Sequence, residues 1–337
     1  MNARQHYGFV LLTSVVPLLG ALAAALLLWS DHVGPADVVA FAVMYLVSGL
    51  GVTVGYHRLL AHRAFQTHRP IRFALAAAGA MAGQAPPIIW VAHHRCHHAN
   101  SDRPGDPHSP YGEDDPSLRG ALRGLWHAHL GWLLDRRLTS EPLRWCPDLV
   151  REPDMRLISR YFVVFLALGI AIPAALGGLI TGTLTGVLTG ALWGGLVRLF
   201  IGNHVTYSVN SIGHYFGSRR FPTQDHSRNV PLLAVLSLGE GWHNNHHAFP
   251  RSASHGLRWY ELDVSALFIA LLARLHLAWD VVRIAPALQD SRAAGLTSAR
   301  FHRAAASAPA ADRSAAPAGA GGAASLPEHS PALPEQA

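Results

Sequence analysis

Residues 184–207 read LTGVLTGALWGGLVRLFIGNHVTY. The run is long enough to cross a hydrocarbon core of about 30 Å, which takes roughly 20 apolar residues. Gly186, Gly190, Gly194 and Gly195 suit close helix packing in lipid. A second apolar run, residues 161–180, precedes it across the short, uncharged Thr181-Gly182-Thr183. The N-terminal part repeats this design. Residues 7–29 and 36–56 are apolar and only a short turn separates them. A signal peptide fits poorly, because the first run exceeds an ordinary apolar region and Asp31-His32-Val33-Gly34-Pro35 makes a poor cleavage site. The expected fold is all-α and integral to a membrane, with four transmembrane helices.

Composition agrees. Half of the 337 residues are hydrophobic and 14% are charged, against about 25% in a soluble domain. Every basic residue is Arg. The Arg side chains are scattered without a basic run, so the formal charge of +6 does not mark a nucleic-acid reader. They lie mainly between the second and third spans and after the fourth. Positive-inside reasoning therefore places both termini and both large loops, 57–160 and 208–303, in the cytoplasm as a helical cap. Residues 71–91 contain Gln84, Pro86 and Pro87 and read as amphipathic or half-buried. Residues 266–279 are too short to span and are expected on the surface. The membrane domain is expected over 1–303, and 304–337 reads as a disordered Ala/Pro-rich tail. Cys96 and Cys146 show no C-x-x-C spacing, so no disulfide framework is expected.

The histidines carry the chemistry. There are 22, and most of the informative ones fall in three clusters. His57 and His62 form H-x-x-x-x-H. His94, His97 and His98 form H-x-x-H-H, and His243, His246 and His247 repeat it. On a helix, residues three and four apart share a face, so each triplet aims its imidazoles at one place. His57 and His62 are five apart and do not align on an ideal helix, so His57 is expected on the last turn of the second span and His62 just beyond. Asn210 and His214, four apart, would extend the fourth span toward the same side. Two, three, three and one make nine imidazoles, too many for one metal and suited to two. Imidazole alone does not choose between iron, zinc, copper and nickel. The His follow no H-E-x-x-H pattern. The spans are nearly free of the polar groups that a metal transporter would carry inside them.

These residues resemble the membrane fatty acyl desaturases, in particular the stearoyl-type Δ9 branch. The resemblance covers about residues 38–279. It rests on the three boxes, on Asn210-Ser211-Ile212-Gly213-His214, on Asp106-Pro107-His108 and His129-Leu130-Gly131-Trp132, and on Asp225-His226-Ser227-Arg228-Asn229 and the run from Gly239 through Pro250. It implies a four-span fold whose cytoplasmic cap covers a di-iron site. The implied ligands are His57, His62, His94, His97, His98, His214, His243, His246 and His247, with Asn210 reaching an iron through water. It also implies O2 as co-substrate, a fatty acyl substrate (acyl-CoA first) and a separate ferredoxin or small cytochrome with its reductase. The animal acyl-CoA members have Arg-Asp before the second box. Ala92-His93 stands there instead, which keeps acyl-lipid and acyl-carrier-protein substrates open.

The chemistry asks for more than ligands. Carboxylates should orient the ligand rings from behind, and Glu240, Asp106 and Asp225 are the candidates. A bent apolar tunnel should fix where on the chain the reaction falls, with Trp90 and Tyr207 as candidate lining. His6, His32, His68, His255, His276, His302 and His329 are expected at the surface. His93 should point away from its neighbours' face, and His108, His127 and His129 are candidates for supporting contacts. Cys96 is not expected to bind metal. The alternatives are a membrane di-iron hydroxylase or ketolase and a His-rich metal transporter.

Overall fold

The computed structural model describes residues 3–28, 33–111, 117–135 and 141–295. The expected tail, residues 304–337, therefore lies outside the described residues, as do His32, His302 and His329.

Four helices are long and apolar enough to cross a membrane: α1 (Gln5–Leu27), α2 (Pro35–Ala61), α5 (Phe162–Thr181) and α6 (Leu184–Tyr215). Between the pairs lie α3 (Arg69–Met81) and α4 (Pro87–Asn100). After them come α7 (His243–Ala248) and α8 (Val264–Arg274), with further short helices between. Two of the apolar helices run past the expected spans. α2 continues to Ala61 and α6 to Tyr215, and these extensions carry His57 and His214.

Local chemistry sets the ends. Pro35 opens α2, and Asp37 accepts the Gly34 N–H at 2.9 Å, satisfying one orphan donor. α5 ends on Gly182 in the left-handed region, and the Thr183 hydroxyl accepts the Gly186 N–H at 3.0 Å to start α6. The α5–α6 hairpin is then packed through backbone. A Cβ on Gly177 would meet the Gly186 carbonyl oxygen at 2.1 Å, and one on Gly190 would meet that of Pro173 at 2.4 Å. That is the close approach expected of small residues in lipid.

Residues 71–91 are not one element. α3 packs on the end of α2, so tightly that a Cβ on Gly51 would lie 2.2 Å from the Gly79 nitrogen. The chain then turns at Gly83, with φ +71°, and α4 begins at Pro87. Val264–Arg274 is short, as expected, with Leu267 and Leu271 exposed. A two-stranded antiparallel ribbon pairs β1 (Gln66–Thr67) with β2 (Ala278–Trp279).

Candidate metal centre

The end of α2 is wound as a π-helix from Gly51 to Ala61. Its i→i+5 pattern continues into the cap, where the His62 N–H bonds the His57 carbonyl at 3.1 Å. This wider turn brings side chains five apart toward one face, which resolves the misalignment that the spacing implies. His57 and His62 rings come to 4.9 Å, centroid to centroid. Arg95, inside the second histidine cluster, fixes the same helix end. It donates to the Leu60 carbonyl at 2.8 Å and the Ala61 carbonyl at 3.1 Å, and it pairs with Asp148 at 2.7 Å.

The imidazoles gather into two groups. One holds His57, His62, His94, His98 and His246, the other His97, His214, His243 and His247; within each, the ligand atoms lie within 4.8 Å of one another. Nε2 atoms face each other: His62 and His94 at 2.7 Å, His98 and His246 at 2.9 Å, His57 and His246 at 3.1 Å, His214 and His243 at 2.9 Å. Asn210 lies on α6 one turn before His214 and lines the cavities beside these rings.

Carboxylates stand behind four rings. His97 donates from Nδ1 to Asp106 at 2.9 Å, His247 to Asp225 at 2.8 Å and His214 to Asp102 at 2.8 Å. His57 Nδ1 donates to Glu240. An ionised carboxylate only accepts, so each contact holds the proton on Nδ1 and leaves the Nε2 lone pair facing inward. This is the tautomer a metal ligand needs. Among the described residues, the buried Nε2 of His247 has no hydrogen-bond partner. Nine imidazoles in two groups, four of them oriented in this way, fit a pair of transition-metal ions.

The electrostatics agree. Burial pushes the rings of His62, His94, His98, His243 and His246 well down, and like neighbours add to it, so they stay neutral. His247 is lowered to about 4, burial outweighing Asp225. Burial opposes ionisation of Asp106 and Asp225 too, yet the histidine partners and donor groups around them hold both carboxyls below their usual range. Glu240 is likewise lowered against burial, by His57, His255 and Arg58. Arg58 is fully buried and bridges Glu240 at 3.2 Å and Asp263 at 2.9 Å. Gly239 makes that approach possible: at φ +118°, its Cβ would lie 2.3 Å from Asp263 Oδ1.

The sequence did not single out every residue here. His255 is expected at the surface but is 1% exposed, 3.4 Å from Glu240 and 4.3 Å, ring to ring, from His246. It is an isolated His in a small-residue loop, with no spacing to mark it. Asp102 was also missed. It sits in a turn at φ +58° and accepts from His214, the His226 N–H and Ser109. Asn244 and Asn245 anchor α7: Asn244 accepts the Phe221 N–H at 2.8 Å, and Asn245 donates to Glu261 at 2.9 Å. Of the supporting candidates, His108 lies 4.5 Å from the His97 ring. His129 faces His204 and Ser211 instead, and His127 is half-buried on the same turn. His93 turns toward Trp132, and Cys96 toward the Gly105 carbonyl.

Two cavities meet at the rings. The larger, about 960 Å3, reaches from Gln5 and Arg160 to His94, Trp90 and Tyr207. The narrower, about 80 Å3, reaches from His94 and His243 to Arg198 and Gly202. Gln84, Trp90, His94, Thr206 and Asn210 line both. At this bend Trp90 donates to Gln84 at 3.0 Å and Gln84 to Thr206 at 2.7 Å, while the Trp90 ring stacks on His94 at 5.0 Å.

Comparison with known proteins adds the chemistry of relatives. The family model for fatty acid desaturase matches residues 33–266. The chain is 43% identical over 272 residues to a hex-5-enoyl-(acyl-carrier protein) acetylenase of Moorena producens (strain JHB), covering 80% of this chain and 84% of that one. It is 38% identical over 245 residues to an sn-1 stearoyl-lipid 9-desaturase of Anabaena variabilis, covering 72% and 82%. An acyl-CoA C20 Delta5-desaturase of Anemone leveillei is 36% identical over 247 residues, 72% of each chain.

Proposed function

The chain belongs to the fatty acid desaturase family, and on that premise we propose that it is an O2-dependent desaturase that places a cis double bond, at Δ9, in a membrane-associated acyl chain. The observation that carries the reading is the pair of imidazole groups with carboxylates behind four rings, set where two cavities meet. Two iron ions held by the nine His would supply the oxidant that takes hydrogen from an unactivated methylene. Overall, O2, two electrons and two protons become two waters as the chain gives up two hydrogens. The electrons come from a separate ferredoxin or small cytochrome with its reductase. The active end and both termini face the cytoplasm.

The residues of the chain do the positioning. Glu240, Asp106, Asp225 and Asp102 hold the ligand rings in one tautomer. Asn210 stands beside the centre, where a water can link it to the metal. The acyl chain enters by the larger cavity and bends past Trp90, Gln84 and Thr206, so that a fixed pair of carbons lies against the rings. Tyr207 forms part of the wall on the entry side. The stearoyl-lipid relative, at 38% identity, favours a lipid-linked substrate over acyl-CoA.

The relative at 43% identity favours a second reading. That protein is an acetylenase on an unsaturated, carrier-bound chain, so this centre would remove hydrogens from an existing double bond. The fatty acid profile of cells expressing the chain separates the two, beside a variant with His246→Ala and His247→Ala. A new cis-monounsaturated acid in the parent alone is expected. An acetylenic acid selects the second reading and a hydroxylated acid a sister hydroxylase. An unchanged profile, with iron and a working donor present, sinks both.

A further inference from the structure

Arg198 lies within α6 and is 1% exposed. A charged side chain inside a span is costly and needs a reason. Its partners are three backbone carbonyls: Nε donates to Gly194 at 3.1 Å, Nη1 to Met81 at 2.8 Å and Nη2 to Gly169 at 2.6 Å. Among the described residues no carboxylate pairs with it. A guanidinium has five N–H groups, so these bonds pin the group without exhausting it. The pinned group lines the narrower cavity about three turns of α6 before Asn210, away from the imidazoles.

Gly202 follows one turn later on the same face, then Thr206 and Asn210, each four residues on. This face covers about 18 Å of helix at 1.5 Å per residue. The earlier α6 glycines, Gly186, Gly190 and Gly194, are each closed off by backbone of a neighbouring turn or helix. Gly202 is different. A Cβ there would meet nothing within 4 Å, and the residue lines the narrower cavity. Packing does not require glycine at this position, and glycine weakens a helix. The space belongs to the cavity.

We propose that Arg198 and Gly202 set the length of acyl chain that this protein accepts. Arg198 is a fixed polar floor against which a methyl terminus stops. Gly202 is the gap in the wall that admits the last methylenes. This rests on the reading that the cavities hold an acyl chain.

The test fills the gap and leaves the floor alone, because removing Arg198 would take a donor from three backbone carbonyls on α3, α5 and α6. Parent, Gly202→Ala and Gly202→Leu are purified at full length. Stabilisation of each by a graded series of saturated fatty acids is read as a melting-temperature shift. The longest chain converted is read in cells alongside. Each methylene denied a buried place weakens binding about fourfold. Gly202→Leu should therefore bind the longest chains roughly fiftyfold more weakly, keep parent affinity for shorter ones and shorten the product, with Gly202→Ala between. The same length dependence in all three proteins overturns the proposal, as does equal weakening at every length or no stabilisation by any chain. If lengths shift in binding while the parent converts nothing, the length determinant stands and the desaturase reading falls.

Discussion

At the residue scale, the carboxylates separate what spacing can show from what it cannot. Asp225 accepts the His247 Nδ1 proton and is itself held by Thr223 and Ser227. Replacing it with Asn removes the charge and permits the wrong ring tautomer. Asp225→Asn should lower affinity for Fe2+ or Co2+ by about 10–100-fold, measured by metal titration of the stripped protein. Asp154→Asn, which breaks only the exposed pair with Arg69, should leave that titration unchanged. Equal titrations would show that the carboxylate does not support the ligand. Asp106, Asp225 and Glu240 could be nominated from the sequence because each falls within a stretch that matches the family. Asp102 and His255 lie as near to a histidine cluster but outside those stretches, and only the fold brings them to His214 and His246.

His255 also gives a pH effect. Burial and the nearby Arg58 lower its ring to about 4, from an ordinary 6.5, despite Glu240. Between these values the unfolded chain takes up a proton that the folded chain refuses, so folding weakens as pH falls from 6.5 toward 4. The lowered carboxyls of Asp106 and Asp225 act in the same direction at lower pH, because their protonation removes stabilisation. His97 works the other way: Asp106 raises it against burial, so its contribution is lost as pH rises through its folded value. The lowered rings outnumber it. The melting temperature of stripped protein should fall from pH 6.5 to 4, and His255→Gln should flatten part of that slope. An unchanged slope in His255→Gln would remove this ring from the account.

At the element scale, the end of α2 decides whether His57 belongs to the site. A five-residue spacing misaligns on an α-helix, and hydrophobic periodicity carries no mark of a π-helix. The spacing therefore places His57 at the end of a span but leaves its direction open. What holds the π stretch is contact with α3 through glycines. Gly51 lies against the Gly79 nitrogen and Gly55 against the Leu75 carbonyl, where a Cβ would be 2.8 Å away. Gly51→Ala should force the two helices apart at a cost of about 1–3 kcal/mol, read as a lower melting temperature. Because His57 rides on this stretch, metal affinity should fall too. A stability loss with parent metal affinity would mean that the ring position does not depend on this contact. The stretch 71–91 shows the same limit. Its apolar content was legible, but the turn at Gly83 lies against Leu166 of α5 and Leu199 of α6, which only the fold brings there.

At the scale of the whole molecule, four apolar helices could be read directly, because their length and low charge are properties of the chain alone. The meeting of two cavities at the rings could not be read, since it involves residues from α1, α2, α4 and α6 together. Which side of the membrane the centre faces is a separate matter, and the Arg distribution supplies the argument. The turn at Thr181–Thr183 carries no Arg, whereas the segment after α6 holds Arg219, Arg228, Arg251 and Arg258. The proposed reading, with a soluble donor in the cytoplasm, has the second side face the cytoplasm. Gly182 and Arg258 both lie outside the four apolar helices, so each can carry a reporter. In a background with Cys96→Ser and Cys146→Ser, Gly182→Cys should react with a membrane-impermeant maleimide added to intact cells. Arg258→Cys should react only after the cells are opened. Labelling of both in intact cells, or the reverse pattern, would put the imidazole groups on the far side from any cytoplasmic donor. The desaturase reading would then require a donor outside the cell membrane.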